Sequence, residues 1–262
     1  DSDDDGFGDV GLLLHSGEIQ QQVADLVVPG RGLDFIWVRT YRSRTGEDSP
    51  QGTRWTHSYD VRCVQENGVI HLFDGTGRKD TFRQQADGTY TCPGIFREGT
   101  LTDGTFRLTF ADTGFWEFNP LATGGTSDGK LARIQDRNGN ALTCDYDEAG
   151  RLVHVVDTLG RTNSVAYNVN GRVASVTDCT GRTVTYAYYT PAESGGTGDL
   201  KSVTSPPVTG TPNENDFPEG KTISYTYTAL VFDDYEAHRL YTVSDGSGLT
   251  AVTYEYDIDP VS

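Results

Sequence analysis

The residues with the clearest potential for chemistry are carboxylates at the N-terminus. Four of them supply the first oxygen ligands of a calcium loop, at positions one, three, five and nine: Asp1, Asp3, Asp5 and Asp9. Gly6 permits the sharp turn that lets such carboxylates converge on a hard cation. Leu12 stands where a bidentate Glu completes the loop, so a solvated acidic tail is the alternative. Calcium is the one cofactor that the sequence indicates, and none is required.

A second group of candidates is His57, Ser58 and Asp60, whose residue types are those of a hydrolase. Alternation along a strand puts Ser58 and Asp60 on one face and His57 on the other, which serves a proton relay poorly. No Gly-x-Ser-x-Gly elbow occurs. The remaining histidines show no metal-ligand spacing: His15, His71, His154 and His238. The sequence therefore predicts a protein that is not an enzyme.

The four cysteines exclude several kinds of site. They contain no Cys-x-x-Cys pair, which argues against zinc ribbons and thioredoxin-like redox sites. Cys63 and Cys92 flank irregular hairpins and are the pair that could form a disulfide. Cys144 and Cys179 lie at different places in the pattern described next, so we expect them to stay apart.

The middle of the chain contains a sequence repeat with an interval of 21 residues. The recurring positions are Asp136, Asp157 and Asp178, then Gly139, Gly160 and Gly181, and then Tyr146, Tyr167 and Tyr188. A fixed period indicates an array of identical units. Alternating β-branched runs predict two strands per unit, and Asp followed three residues later by Gly predicts the turn between them. Each unit is therefore predicted to be a β-hairpin.

Two further units follow with distortions. Residues 200–205, Gly220 and Tyr227 keep the spacing if residues 206–219 are an inserted, exposed loop. A fifth unit runs from Leu240 to Tyr256 and is one residue longer on its second strand. Residues 229–240 are the one stretch that could be helical.

Composition agrees with an all-β protein and limits its partners. The chain has 31 Gly, 14 Tyr and 10 Pro, which favour strands and turns. With 38 acidic against 21 basic residues its net charge is −17, which argues against nucleic acid as a partner. No apolar run is long enough to span a membrane. Because the chain has no Met, we expect it to be processed or to be one piece of a longer protein.

These patterns divide the chain into three parts. Residues 1–10 form the acidic segment with the possible calcium loop. Residues 11–125 are predicted to form an irregular β domain, and residues 126–262 an antiparallel β-hairpin array with an inserted loop at 206–219.

One motif carries a family resemblance. The run Tyr146-Asp147-Glu148-Ala149-Gly150-Arg151 resembles the Tyr-Asp-x-x-Gly-Arg signature of the YD-repeat family, which includes bacterial Rhs proteins, toxin-complex cocoon proteins and animal teneurins. The earlier part is similar to the domain that precedes these repeats in Rhs-type proteins. The segments that match are 17–18 (Gly-Glu), 29–32 (Pro-Gly-Arg-Gly), 39–44 (Arg-Thr-Tyr-Arg-Ser-Arg) and 55–60 (Trp-Thr-His-Ser-Tyr-Asp).

The resemblance implies a spiralling β-sheet that forms a wall or shell, outside a bacterial cell or at its surface. We expect a structural element that associates with copies of itself, or with further repeats of a longer parent chain, into a filament or shell. Two alternatives stay open. One is a fragment of the shell of an exported Rhs-type toxin, and the other is a surface adhesin or glycan-binding module.

Overall fold

The computed structural model describes residues 9–13, 16–193, 196–212, 214–228 and 238–256, which form antiparallel sheets with no helix among them. The N-terminal sheet has the strand order β1-β2-β3-β6. Its strands are β1 (Asp9–Leu13), β2 (Glu18–Val28), β3 (Phe35–Arg42) and β6 (Trp55–His57). Between β3 and β6 lies a short hairpin of β4 (Asp48–Ser49) and β5 (Gly52–Thr53).

The second sheet contains seventeen strands, each paired with the one before it. Its irregular part comprises β7 (Arg62–Glu66), β8 (Val69–Phe73), β9 (Lys79–Gln84), β10 (Tyr90–Cys92), β11 (Ile95–Thr102), β12 (Thr105–Phe110) and β13 (Phe115–Phe118). The five predicted units follow as the hairpins β14 (Leu131–Gln135) with β15 (Ala141–Tyr146), β16 (Leu152–Val156) with β17 (Thr162–Tyr167), β18 (Val173–Thr177) with β19 (Thr183–Tyr188), β20 (Leu200–Thr204) with β21 (Thr222–Tyr227), and β22 (Leu240–Ser244) with β23 (Thr250–Thr253). The predicted fold class, an all-β hairpin repeat array, is therefore confirmed.

The second sheet closes on itself where its first strand, β7, meets the start of the first unit. Arg62 forms an antiparallel bridge with Lys130. Beside it the Cys63 N–H donates to the Gly129 carbonyl at 2.7 Å, and the Leu131 N–H donates to the Val61 carbonyl at 3.0 Å. The remaining units continue from that junction, so the sheet winds past its own first strand.

A β-bulge bends the sheet at the repeated tyrosines. The register shifts at Tyr146, Tyr167, Tyr188 and Tyr227, where each unit passes to the next. Such bulges increase the local twist and bend the strand. A further shift between Val243 and Ser244 leaves Ala251 as an extra residue, which accounts for the longer second strand of the fifth unit.

The core lies between the two sheets. Alternate residues of β3, namely Phe35, Trp37, Arg39 and Tyr41, are all buried and face the inner side of the units. The units add short apolar residues such as Val155, which is fully buried, to the same cluster. The sheets thus share one hydrophobic cluster. The predicted helical stretch, residues 229–240, lies outside the described residues except for 238–240, where Leu240 begins β22.

Candidate functional site

Arg39 is a buried cation at the interface between the two sheets. Its Nε donates to the Asp25 carboxylate at 2.6 Å, and its Nη1 donates to the Tyr225 hydroxyl at 3.1 Å. The Tyr186 hydroxyl donates to the same carboxylate at 2.7 Å. Asp25 and Arg39 belong to the N-terminal sheet, whereas the tyrosines belong to the third and fourth units. We call these four residues the Arg39 network.

The electrostatics of the Arg39 network favour its charged form. Burial lowers the pKa of Arg39, but the Asp25 carboxylate raises it further, so the pKa stands above its usual range. Burial raises the pKa of Tyr186 well above its usual value, which keeps the hydroxyl protonated as a donor. The guanidinium carbon also lies 5.1 Å from the ring centroid of Trp55. Removing one partner from such a buried pair leaves an uncompensated charge.

Two aromatic residues extend the interface to the last two units. The Trp55 indole N–H donates to the Tyr227 hydroxyl at 2.9 Å, and the Leu240 N–H donates to the Tyr41 hydroxyl at 2.7 Å. The rings of Tyr41 and Trp55 lie 5.3 Å apart. The N-terminal sheet therefore contacts both the fourth and the fifth unit.

Arginines that follow the repeat turns bind backbone carbonyls at the C-terminal end of β2, which is one rim of the N-terminal sheet. Arg161 Nη2 donates to the Pro29 carbonyl at 2.7 Å, and Arg182 Nη2 donates to the Val27 carbonyl at 2.9 Å. These two arginines are 21 residues apart, and their acceptors are two residues apart on or beside β2. The strand thus crosses successive units in order.

The opposite rim is held by the third unit. Arg172 forms an ion pair with Asp48 at 2.7 Å, and the Val173 N–H donates to the Pro50 carbonyl at 2.8 Å. Contacts on both rims fix the N-terminal sheet across the units.

The repeated tyrosines act as locks within the array. In each unit the hydroxyl donates at 2.8 to 2.9 Å to the carbonyl of the residue that begins that unit. The pairs are Tyr146 with Leu131, Tyr167 with Leu152, Tyr188 with Val173, Tyr227 with Leu200, and Tyr256 with Leu240. The rings are half-buried, and their polar atoms satisfy backbone groups. We call this contact the tyrosine lock.

The repeated Asp residues form turns, as their spacing predicts. Asp157 Oδ1 accepts the N–H groups of Leu159 and Arg161, both at 2.9 Å, and its other oxygen pairs with the Arg161 guanidinium at 2.6 Å. Asp178 makes the same turn with Arg182. Asp136 also does so, with Asn140 in place of the arginine.

The candidate triad does not assemble into a relay. Burial lowers the pKa of His57 to about 4, and the neutral ring stacks on Trp37 at a centroid distance of 4.3 Å. His57 Nδ1 accepts the Tyr59 N–H at 3.3 Å. Ser58 Oγ donates to the Ile36 carbonyl at 2.8 Å. These side chains support the packing of the N-terminal sheet.

Most of the predicted calcium ligands lie outside the described residues. Asp1, Asp3 and Asp5 lie outside the described residues, and of Asp9 only the backbone, which begins β1, is described. Calcium binding at this segment stays a prediction. In the described part of the chain, no cluster of three or more His, Cys, Asp or Glu residues could hold a metal ion.

The expectation that Cys63 and Cys92 could pair is wrong. All four cysteines are free. Cys63 lies on β7 and Cys92 on β10, three strands away, and strands lie about 4.8 Å apart, whereas a disulfide needs Cα atoms within about 7 Å. Burial raises the pKa of Cys63 well above its usual value and that of Cys144 to about 12. Both thiols are therefore unreactive core residues.

Sequence reasoning missed the Arg39 network, although a signal was present. Phe35, Trp37, Arg39 and Tyr41 alternate along one strand, so the apolar face of β3 contains a single cation. A charge on such a face needs a buried partner. The pattern could have indicated an interface, but it did not name the partners.

The fold and these contacts define a β-hairpin repeat protein whose array is covered on its inner side by an N-terminal sheet. Family models agree with both parts. Residues 14–82 match a domain of unknown function, DUF6531, and residues 126–162 and 167–192 match the RHS Repeat. The chain is an Rhs-type YD-repeat protein with an N-terminal DUF6531 domain.

A search of the curated proteins finds no match. RHS repeats are generally structural and typically extracellular or at the cell surface. The described residues include no helix long and apolar enough to cross a membrane.

Proposed function

We propose that this chain is a structural, non-enzymatic module that serves outside a bacterial cell as a stiff wall or spacer. The observation that carries the proposal is the Arg39 network, which joins the N-terminal sheet to the third and fourth units. A buried network whose members are all paired favours one arrangement of the two sheets. Such a fixed arrangement gives a spacer its stiffness.

The open edge of β23 supports association with other strands. The Tyr254 N–H donates inward to the Tyr241 carbonyl at 2.8 Å, so by alternation the Thr253 N–H points away from β22. In the residue-by-residue pairings of the described strands, β23 pairs with β22 alone. Open edges invite pairing. We propose that β23 pairs with a second copy of the chain, or with further repeats of a longer parent chain, to give a filament or a shell.

A proline at the open edge tests this part of the proposal. Thr253→Pro removes the outward donor and leaves the inward bond of Tyr254, whereas Thr253→Ala keeps the donor and serves as the control. Sedimentation velocity over a concentration series should show association of the wild type and T253A but not of T253P. Association should strengthen with salt, because copies that each carry a charge of −17 repel one another. A wild type that stays monomeric at high concentration by light scattering would overturn self-association.

A second candidate function is a segment of the shell that encloses an exported toxin. The winding of the sheet past its own first strand favours this candidate. It predicts that the parent gene continues with further Tyr-Asp-x-x-Gly repeats and a variable last domain. Electron microscopy of the native material would distinguish a closed shell from a filament and from a free monomer.

A further inference from the structure

The residue that directly precedes each repeat unit is a cation in four of the five units and an acid in the remaining one. The cations are Lys130, Arg151, Arg172 and Arg239. Three of them lie over the repeated tyrosine of the unit that they precede, at 5.7, 5.1 and 5.2 Å from the ring centroids of Tyr146, Tyr167 and Tyr256. The fourth unit has Asp199 at this position, and its side chain is fully buried. A buried carboxylate needs a partner of its own.

The position one residue earlier departs from its pattern in the fifth unit. In the first four units it is a glycine with a positive φ, namely Gly129, Gly150, Gly171 and Gly198. The fifth unit has His238 there, at a φ of 64°. A residue with a Cβ is strained in this left-handed region, and such strain persists where surrounding contacts require it. The fifth unit therefore keeps a histidine against the preference of its backbone.

These two exceptional residues contact each other. His238 Nδ1 lies 2.8 Å from both carboxylate oxygens of Asp199. The His238 side chain is 28% exposed, so its protonation can follow the pH of the solvent. Gly196 covers the pair, because a Cβ on this residue would lie 2.2 Å from the Asp199 carboxylate and 2.3 Å from the His238 ring. The contact joins the start of the fourth unit to the start of the fifth, and we call it the Asp199 clasp.

The other described polar groups around the Asp199 clasp hold their charge near neutral pH. They are Thr53, Arg172 with its ion-pair partner Asp48, Tyr227, Arg239, and Tyr189 with the ion pair of Lys201 and Glu193. Burial raises the pKa of both tyrosines, so their hydroxyls stay protonated. Arg172 faces the Asp199 carboxylate but shares its charge with Asp48, which lies 2.7 Å away. Of these described groups and the clasp, His238 is the one that changes its charge between about pH 5 and pH 8.

The charge of His238 determines how well Asp199 is compensated. Burial raises the pKa of Asp199, because an ionised carboxylate is unfavourable away from water. A protonated His238 supplies the opposite charge through a charge-assisted hydrogen bond. A neutral ring can still donate one N–H, but the carboxylate then depends for its charge on Arg172, which it shares with Asp48. Closing of the clasp is therefore coupled to proton binding, and opening becomes easier as the pH rises.

We propose that the Asp199 clasp is a pH-sensitive switch that fastens the fifth unit to the fourth in weak acid and loosens above neutral pH. When it loosens, β22 and β23 open more readily, because the fifth unit begins directly after His238 and Arg239. The fifth unit carries the open edge of β23, so the pH controls how firmly that edge is held. The switch itself does not depend on self-association, since both of its residues lie within one chain.

Native-state hydrogen exchange at about pH 6 and about pH 8 tests the proposal. Protection factors, which correct for the intrinsic pH dependence of exchange, are compared for β22 in the fifth unit and β16 in the second. We expect the protection of β22 to fall about tenfold from the lower to the higher pH, and that of β16 not to fall. His57 cannot cause this fall, because its titration reduces stability in acid. A β22 protection that does not fall overturns the proposal, and so does an equal fall in β16.

Two variants assign the pH dependence to the Asp199 clasp. His238→Asn keeps a hydrogen-bond donor and a residue that tolerates a positive φ, but its side chain cannot be charged. Asp199→Asn leaves no buried charge at the clasp that could prevent folding. In both variants the tenfold fall of β22 should disappear. The wild-type fall in both H238N and D199N would assign it to other groups and overturn the proposal.

His154→Gln is the matched control. His154 also faces an aspartate, Asp145, but their side-chain atoms lie 3.8 Å apart and both side chains are about half exposed. Solvent screens such a pair, so H154Q should keep the wild-type fall of β22. Loss of the fall in H154Q would overturn the assignment to His238. T253P should also keep the fall, so failure of self-association and failure of the switch are distinguishable.

Discussion

The first three units and the last two form the same kind of β-hairpin but connect its strands with different turns. In the regular units Asp157 and Asp178 pair with arginines that reach the backbone of the N-terminal sheet. In the last two units an inserted loop replaces one turn, and the other carries Leu249 where the second and third units carry arginine. The tyrosine lock is present in all five units. The lock and the buried strands therefore define the fold, whereas the turn sequence is free to vary.

The Arg39 network joins the two regions, and breaking it should have the largest effect. Arg39→Met leaves Asp25 buried without its cation, which we expect to cost about 3 to 5 kcal/mol in the free energy of unfolding. Urea denaturation measures the loss. The double variant Arg39→Met with Asp25→Asn should recover part of it, because no buried charge remains. If the single and double variants lose equal stability, the charge is not the cause.

Acid should loosen the N-terminal sheet beside the regular units, where His57, Tyr146 and Tyr167 line a small cleft. The unfolded chain takes up a proton at His57 near pH 6.5, and the folded chain takes it up only near pH 4. Between these values the unfolded state binds more protons, so stability falls as the pH falls. The loss amounts to about 3 kcal/mol.

The acid effect is measured as the unfolding free energy at several pH values. His57→Gln should remove about 3 kcal/mol of the difference between pH 6.5 and pH 4. The same fall with pH in the wild type and in H57Q would assign it to other groups.

The tyrosine locks of Tyr167 and Tyr227 differ in one contact, because the Tyr227 hydroxyl also accepts the Trp55 N–H. Their stability losses can therefore be compared directly. Tyr167→Phe removes one donor and leaves the Leu152 carbonyl unpaired, at a cost of about 1 kcal/mol. Tyr227→Phe removes the equivalent bond and also the acceptor of the buried Trp55 N–H, so we expect about 2 kcal/mol. Paired denaturation curves test the order. A larger loss in Y167F would contradict the role given to Trp55.

Substitutions in the turns should have the smallest effects on the free energy of unfolding. Asp157→Ala removes a buried carboxylate that orients Arg161 toward the N-terminal sheet, which we expect to cost about 1 to 2 kcal/mol. Asp245→Ala, in a turn with no arginine, should cost less than Asp157→Ala does, because solvent screens the exposed carboxylate. Thermal unfolding of the two variants measures the difference. Equal losses would show that the arginine contact adds nothing.

The hairpins and their turns could be predicted from the sequence because Asp, Gly and Tyr act within a few residues of themselves. The extra residue of the fifth unit and the inserted loop followed from the same spacing. The Arg39 network could not be predicted, since its partners at 186 and 225 are far along the chain and depend on how the sheets stack. The Cys63 and Cys92 expectation failed for a related reason, because spacing along the chain does not give the order of strands in a sheet.

The central claim is that the N-terminal sheet holds the regular and the distorted units together as one cooperative body. Native-state hydrogen exchange of the strand amides tests it most directly, with β19 compared with β21. Both strands should open with the same free energy in the wild type, and Arg39→Met should lower that value equally in both. The claim is wrong if the amides of β21 open with a much lower free energy than those of β19. It is also wrong if R39M lowers the opening free energy of one strand alone, because the two regions would then be separate.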